Sequence, residues 1–413
     1  MILVLFTGSY PYDYSTEQTF LDGEVRILVK KFDRVILVPR VAKGKLLPLV
    51  EGVEVDTSFA ESFTFVRRVV AGLKSLFSKD FRQDIKNQLP KSLSPLYGRR
   101  LFSFLAGAEL TRIWVLNWLK KQTVTASSIV FYTFWFDEIT MGIGLAKEIA
   151  TNLRVVSRTH GYDLYEELYG VWPCRFRAIS LLDGLFADSD IGTNYLKDKY
   201  PQFKNKYETM LLGVPDPGGV SKPSQDGVLR ICSCSIINPV KRIDLIFHAV
   251  VVAAQMRDTQ QIEWRHYGDG QEISNYIKRI KNEFPSNAKG YFPGYKTQQI
   301  LIQDYLENPV DVFINVSSTE GTPVSIMEAI SCGIPIIATS VGGNVEIVSQ
   351  KNGFLLSANP DPREIAEILL KVCDLTDEIQ EKRQASREVW LERYNETTNF
   401  ELFAKRLIEI RKS

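Results

Sequence analysis

The stretch Ser318-Thr-Glu-Gly-Thr-Pro-Val-Ser-Ile-Met-Glu328 sets two carboxylates, Glu320 and Glu328, around Gly321, Thr322 and Pro323. It follows "VDVFINVSS", which is apolar and β-branched as a central parallel strand is. Thr322 is a good N-cap and Pro323 suits the first helical position, so the spacing predicts a helix starting there. Its first unpaired N–H groups, on Val324 and Ser325, would then point out beyond the strand end. A helix start of this kind binds phosphate, because free donors and the helix dipole both favour an anion. Gly321 lets a ligand come close to the backbone. Carboxylates are poor phosphate ligands but accept hydrogen bonds well from paired sugar hydroxyls. A nucleotide sugar carries hydroxyls on both sides of its diphosphate, which accounts for both acids together. The local alternative is that Glu320 complements the helix dipole and Glu328 is a solvated helix residue.

Other residues invite the same kind of question. His160, in "RTHGYD", sits at a strand tip before Gly161, either as part of a site or as a structural hydrogen-bonding residue. Lys241 and Arg242 stand at a helix start, where the dipole disfavours cations, so a bound anion would explain them. The glycines of "YGDG", among them Gly268, and of "FPGYKT", which contains Tyr295, fit tight turns at strand ends. His266 precedes the first of these turns, and His248 lies mid-helix among Ile246, Phe247 and Val250 as a structural residue. Three histidines and five scattered cysteines, with no Cys-x-x-Cys pair, give no zinc-ligand spacing.

The elements that would hold these residues alternate. Strands are expected at Ile2–Phe6, Arg34–Pro39, "SSIVFYTFW", "LRVVSRTHGYD" and "LLDGLFADSD". Helices are expected from about Thr19 and Asp137, and Asp190 is placed to cap the one after the fifth strand. The Gly/Pro-dense segment Leu211–Gly227 reads as a linker. Beyond it strands are expected at Leu229–Ser235, Glu263–Tyr267, Gly290–Phe292, Val310–Val316, Ile334–Ala338 and Phe354–Leu356. The intervening helices begin near Lys241, Glu272, Thr297, Pro323, Asn344 and Pro362, and a last long helix covers about Glu381–Arg411. A chain of 413 residues exceeds one ordinary core, and repeated βα alternation predicts two α/β, doubly wound domains facing across a cleft.

Composition narrows the class further. With 45% hydrophobic and 24% charged residues the chain is globular, and no apolar run approaches a membrane span. The opening Met1-Ile-Leu-Val-Leu-Phe-Thr lacks a basic leader and reads as a first strand, which with the cysteine pattern predicts a cytoplasmic protein. The net charge of +1 hides an asymmetry: from Arg67 to Lys121 there are twelve Lys/Arg, Lys91 among them, and three acids. Leu73, Phe77, Phe102, Phe104, Trp114 and Trp118 are interleaved. Such a segment suits anionic lipid or an anionic substrate, or is a solvated helical face over a core. A nucleic-acid surface is not expected, since the rest of the chain is net acidic and shows no recognisable module.

Glu320 and Glu328 have the E-x7-E spacing of retaining glycosyltransferases of the GT-B fold, family 4, and the chain resembles that family along most of its length. "AISCGIPIIATSVGGNVEIV" is similar to the family's small-residue helix, Gly-x-Pro strand and Gly-Gly loop. "GSYPYDYSTEQTF", "YTFWFDE", "SRTHGYDLYEE" and "INVSSTEGTPVSIMEA" resemble the branch that builds bacterial surface polysaccharides. The resemblance implies residues 1–210 as an acceptor domain with a basic helical insertion at about 61–121, a linker at 211–227 and a donor domain at 228–385. A C-terminal helix, 386–413, would pack back towards the first domain.

It also implies roles. Glu320 would contact the transferred sugar and Glu328 the ribose, with Gly321, Thr322, Pro323 and Val324 along the sugar and diphosphate. Lys241 matches the family's diphosphate-binding lysine, Gly268 and Tyr295 lie in donor-domain loops, and His160 matches the histidine that faces the donor sugar. Gly8 and Ser9 belong to a first loop brought towards donor phosphate and acceptor. Two departures stand out: Ile236 replaces an arginine common in the family, and Arg242 stands where glycine is usual and is a candidate substitute cation.

The expected activity is transfer of a sugar, hexosyl or N-acetylhexosaminyl, from a nucleotide-diphosphate donor to a glycan or lipid-linked acceptor with retention. No cofactor or metal is expected, and contact with the inner membrane face would run through 67–121. A nucleotide-sugar epimerase of the same fold and a non-catalytic sugar-nucleotide-binding subunit are the alternatives. A nicotinamide oxidoreductase would need G-x-G-x-x-G after the first strand, which "TGSYPYD" is not.

Overall fold

The computed structural model describes residues 1–15, 17–89, 94–374 and 376–412, so Lys91 of the basic segment lies outside the described residues. The chain divides into two compact units, Met1–Leu211 with Thr397–Ser413, and Leu212–Glu396.

In the first unit, the described residues form a sheet from β1 (Ile2–Thr7), β2 (Arg34–Pro39), β3 (Val53–Val55), β4 (Ile129–Thr133), β5 (Arg154–Thr159), β6 (Gly184–Ala187) and β7 (Tyr207–Thr209). Their order is β3-β2-β1-β4-β5-β6-β7, every pair parallel. β1 and β4 are buried along their whole length, which is why their sequences are unbroken apolar runs rather than alternating ones. The sheet reverses direction of growth between β1 and β4, and loops leaving the carboxyl ends of those two strands diverge to opposite faces and open a crevice.

The second unit repeats the scheme with β8 (Val228–Cys234), β9 (Gln261–Tyr267), β10 (Ala288–Gly294), β11 (Val312–Asn315), β12 (Ile336–Thr339) and β13 (Gly353–Leu356). Its order is β10-β9-β8-β11-β12-β13, again parallel, with the reversal between β8 and β11. Its core gathers Trp264, Phe247, Val250, Val312, Ile314, Ile365 and Leu369. Both sheets agree with the expected doubly wound class. The two strands sequence reading missed, β3 and β7, are three-residue edge strands too short to show a period.

The basic segment divides in two. Leu101, Phe104, Trp114 and Trp118 on the helix Pro95–Leu119 belong to the first unit's core. Trp114 meets Phe6 edge-on at 5.6 Å and stacks with Trp118 at 6.0 Å. The segment's first helix, Phe65–Ser75, separated from Pro95–Leu119 by the helix Lys79–Asn87, instead leaves Val66, Val70 and Leu73 exposed, with Phe77 just beyond it, a stripe at helical spacing flanked by Arg67 and Lys74.

The expected last helix over about Glu381–Arg411 is two helices. One runs Thr376–Val389 and ends in a π-helical turn, Trp390–Tyr394; the other is Glu396–Lys412. Asn395 between them is extended and bridges to Val214, which interrupts the helical ladder. The division of the chain into units therefore falls at Glu396 rather than at 386. The final helix completes the first unit's core with Phe400, Phe403, Leu407 and Ile410. Phe403 lies under the guanidinium of Arg158, 4.2 Å away, and edge-on to Tyr132 at 5.1 Å. Arg158 and Glu24 are both fully buried and ion-paired at 3.0 Å, and Tyr132 and the Met210 carbonyl take further donors of the guanidinium. These contacts meet the remaining donors of the guanidinium, as a buried charge requires.

Candidate functional site

The β8–β11 reversal assembles the first group of expected residues. The loop after β8 carries Lys241 and the loop after β11 carries Glu320, and the two side chains meet, Nζ to Oε1, at 2.6 Å. Asn315, the last residue of β11, donates its amide to the same oxygen at 3.0 Å, and Ser317 donates its hydroxyl at 2.7 Å. All three donors converge on Oε1, so the carboxylate is aimed with Oε2 left over. Sequence reading missed Asn315 and Ser317, whose only signal was polarity at the end of an apolar strand.

The backbone around Glu320 is fixed from the other side by the Gly-Gly loop. Gly342 has φ +46°, and a Cβ there would stand 1.9 Å from the Glu320 carbonyl oxygen. Gly343 donates its N–H to the Gly321 carbonyl at 3.0 Å. A side chain at 342 would therefore move the glutamate.

The helix that follows is Val324–Ser331, with Pro323 in the N-cap position in extended conformation. This corrects the expected start by one residue: Thr322 is not the N-cap, and Pro323 is not the first helical residue. Val324 and Ser325 still supply the first N–H groups, which have no acceptor within a helix. Glu328, one turn in, is buried, which overturns the alternative of a solvated helix residue. Burial pushes its carboxyl up to about 7, opposed by a hydrogen bond from Gln298 Nε2 at 2.9 Å. Gln298 opens the helix after the "FPGYKT" loop, whose Tyr295 is exposed. That loop is tied to "YGDG" by the Gly268 N–H on the Gly294 carbonyl, 3.0 Å. Gly268 has φ +140°, and a Cβ would lie 1.8 Å from the Ser235 carbonyl, so the two strand ends close on each other there.

Arg242 is corrected. The helix begins at Ile243, two residues after Lys241, and Arg242 caps it in the left-handed region at φ +49°. That conformation favours glycine. Its guanidinium is taken up by the carbonyls of Val316 (2.5 Å), Ser317 (2.7 Å) and Ala358 (3.0 Å) and by Asn359 Oδ1 (3.2 Å). It therefore holds the β11 loop in place instead of supplying a second free cation. Ile236, at the position of the missing arginine, is exposed. His266 is fully buried, with Nδ1 on the Ser233 hydroxyl at 2.9 Å, and burial lowers its pKa to about 4, so it is a neutral structural residue. His248 is exposed and lies 3.3 Å from Asp244.

In the first unit, the β1–β4 reversal is occupied by a residue that sequence reading missed. Glu17 is buried, and its carboxylate accepts the backbone N–H groups of Gly8 (2.8 Å), Ser9 (2.6 Å) and Tyr10 (2.9 Å). The indole of Trp135, in the loop after β4, donates to the same carboxylate at 2.5 Å. Consecutive N–H groups of this kind form an anion-binding nest. The amides of Gly8 and Ser9, in the loop expected to come towards donor phosphate and acceptor, are held by a glutamate of the chain itself. A lone Glu nine residues after a glycine leaves no periodic signal.

His160 lies at the end of β5 and is buried. Nδ1 is 2.9 Å from Asp188 Oδ2, Nε2 is 3.1 Å from the Phe134 carbonyl, and the ring packs against Phe134 (4.4 Å) and Trp135 (5.0 Å). Both partners are acceptors, an environment that favours the doubly protonated ring. Burial opposes that charge, but Asp188 and Asp163 outweigh it and raise the pKa above the ordinary value. A ring held this way is fixed in place, with both nitrogens already engaged. Among the described residues, no cluster of three or more His, Cys, Asp or Glu is arranged to hold a metal ion.

Residues 229–374 match the family Glycosyl transferases group 1. The chain is 26% identical over 201 residues to the UDP-N-acetylglucosamine–peptide N-acetylglucosaminyltransferase GtfA subunit of Streptococcus agalactiae, covering 46% of this chain and 38% of that protein. It is 29% identical over 154 residues to the putative colanic acid biosynthesis glycosyltransferase WcaL of Escherichia coli, covering 34% and 36%. In both cases less than half of the relative is spanned. Anabaena Alr3699/HepE, solved in complex with UDP and glucose, superposes with a TM-score of 0.64 at 17% identity over 99% of this chain and 100% of that one. Residues 229–374 are thus similar to the group 1 glycosyltransferases, on a chain whose two parallel-sheet units share the GT-B fold of that neighbour.

Proposed function

We propose that this protein transfers a sugar, hexosyl or N-acetylhexosaminyl, from a nucleotide-diphosphate donor to a hydroxyl acceptor with retention of anomeric configuration. The observation that carries the reading is the Lys241–Glu320 pair at the β8–β11 reversal, three residues before a helix N-terminus. In this reading the pair is a resting state. Donor diphosphate attracts Lys241 and the N–H groups of Val324 and Ser325, and Lys241 exchanges Glu320 for phosphate. Glu320, still held by Asn315 and Ser317, then meets the hydroxyls of the sugar, beside the backbone of Gly321 and Thr322. Glu328 takes the ribose, its ionised carboxylate accepting those hydroxyls. The Gly268 and Tyr295 loops border the donor, and His160 is assigned the catalytic role in the first unit. Charge building on the departing diphosphate is offset by Lys241 and the helix start, Arg242 being engaged elsewhere. The acceptor hydroxyl gives its proton to the leaving phosphate, so the scheme asks for no metal and no second carboxylate.

WcaL's printed role in colanic acid biosynthesis supports a place in surface polysaccharide or glycolipid assembly. The acceptor is then a glycan or lipid-linked sugar, handled in the cytoplasm at the inner membrane face. Among the described residues no helix is long and apolar enough to cross a membrane. Peripheral contact would use the exposed stripe Val66, Val70, Leu73 and Phe77 with Arg67 and Lys74 beside it, giving liposome binding that weakens with salt.

The test is nucleotide release from a panel of UDP-, GDP- and ADP-sugars, with and without lipid-linked acceptors, followed by the anomeric configuration of the product by NMR. Turnover with an inverted product would overturn retention, and no binding or turnover of any donor would overturn the transferase reading.

A further inference from the structure

Beside the β1–β4 reversal the first unit holds a pocket of about 430 Å³ that no role above uses. Its walls are aromatic: Trp135, Tyr162, Trp172 and Phe104 line it. Its floor carries Arg40, Asp137 and Glu138, in which Arg40 pairs with Asp137 at 3.4 Å and with Glu138 at 2.5 Å. The other lining cation, Arg100, lies over the Trp172 ring at 4.6 Å and donates to the Tyr169 carbonyl at 3.3 Å. The lining acids Asp137, Glu138 and Asp163 outnumber the two lining arginines, and both guanidiniums already have partners. An anion entering here would therefore meet carboxylates before it met a free cation.

A neutral sugar ring fits on each count. Its C–H face is apolar and packs on aromatic rings, and its hydroxyl edge exchanges hydrogen bonds with carboxyl and guanidinium groups. A volume of this size is that of a small-ligand site. The pocket also has a neighbour of the right kind: Trp135 forms one wall and packs against His160 at 5.0 Å.

We propose that this pocket receives a neutral sugar ring of the acceptor, against the wall of Trp135, Tyr162 and Trp172 and over the Arg40–Asp137–Glu138 cluster. The inference rests on the transferase reading, and it adds the chemical class of the acceptor's recognised unit: an uncharged glycosyl residue rather than a uronic acid or a sugar phosphate.

The test uses the full chain and saturation-transfer NMR with methyl glucoside, methyl galactoside and methyl N-acetylglucosaminide, against glucuronate and glucose 6-phosphate. UDP binding is measured separately by calorimetry. Saturation transfer to the ring protons of at least one neutral glycoside is expected, exceeding that to either anionic sugar. Trp172→Ala and Tyr162→Ala should each weaken it by about fivefold, the loss of one stacking face, with UDP affinity unchanged. Tyr162 is 57% exposed, so its removal leaves the fold intact. Preference for the anionic sugars, or neutral binding that ignores both substitutions, would overturn the proposal. If UDP binds and none of the neutral glycosides does, this inference alone fails. If UDP does not bind either, the fault lies in the transferase reading.

Discussion

At the β8–β11 reversal a lysine and a glutamate from two loops pair with each other, whereas at the β1–β4 reversal a glutamate is bound by three consecutive backbone amides and an indole. The same topology makes both crevices, yet the charges in them are held differently. In the second unit both partners are side chains, and Lys241 can swing on its flexible stem to another anion. In the first, Glu17 is gripped by backbone, and a leaving carboxylate would strand three amides. The sheet supplies the place, and what occupies it decides whether that place is an exchangeable binding site or an internal brace.

The comparison is easiest to break at Glu320. Glu320→Ala should reduce transfer by about 10³-fold, the scale of losing one aligned electrostatic contact in a transition state, with the circular-dichroism spectrum and melting unchanged. Lys241→Ala should act comparably on kcat, and a rate within a few fold of wild type for either variant would remove the exchange from the mechanism. Glu328→Gln should weaken donor binding by roughly tenfold, as for loss of a charged hydrogen bond. It should also stabilise the free protein, because burying this carboxyl at pH 8 costs about 3 kcal/mol, from its rise from 4.5 to about 7. A lowered melting temperature would contradict that.

Glu17→Gln tests the other crevice. It should lower stability by about 2 kcal/mol and leave the donor KM within about twofold, an internal brace having no part in donor binding. A donor KM that improves would mean that phosphate competes for the Gly8–Tyr10 amides, and the contrast between the two crevices would collapse. The smallest effect is on pH. Glu328 ionises near 4.5 in the unfolded chain and near 7 in the folded one. Between those values the folded state holds the extra proton, so stability falls as pH rises from 4.5 to 7 and is level above. Donor affinity should move the opposite way, weakening as pH falls below 7, because the ionised carboxylate is the better acceptor of ribose hydroxyls. Titration of UDP binding between pH 5.5 and 8.5 checks the sign.

Much of the second unit was legible because its signals are local. β11 is an unbroken apolar run, and the Glu320–Glu328 spacing crosses a single strand-to-helix turn. The capping of that turn was misread by one residue, because Thr-Pro suits two registers and extended Pro323 decides between them. Arg242 was misread for a different reason. A cation beside a phosphate-binding lysine looks like a second ligand, but its left-handed backbone turns the guanidinium onto three carbonyls, and no spacing rule contains a φ angle. Glu17 and Asp188 were invisible because each acts on residues distant in sequence, Trp135 and His160 respectively. The basic segment was read as one amphipathic stretch, although its last helix, Pro95–Leu119, is core while Phe65–Ser75 leaves an apolar stripe outside.

The last helix has a consequence for the order in which the molecule can be made. The first unit lacks Phe400, Phe403, Leu407 and Ile410 until they emerge from the ribosome, and all of Leu212–Glu396 is synthesised in between. At ordinary elongation rates the interval is on the order of ten to forty seconds. During it Arg158 and Glu24 lack the Phe403 ring that closes over them. The second unit is thus free to finish folding before the unit that begins the sequence, and a nascent chain stalled anywhere in that interval holds an open first core that a chaperone can recognise.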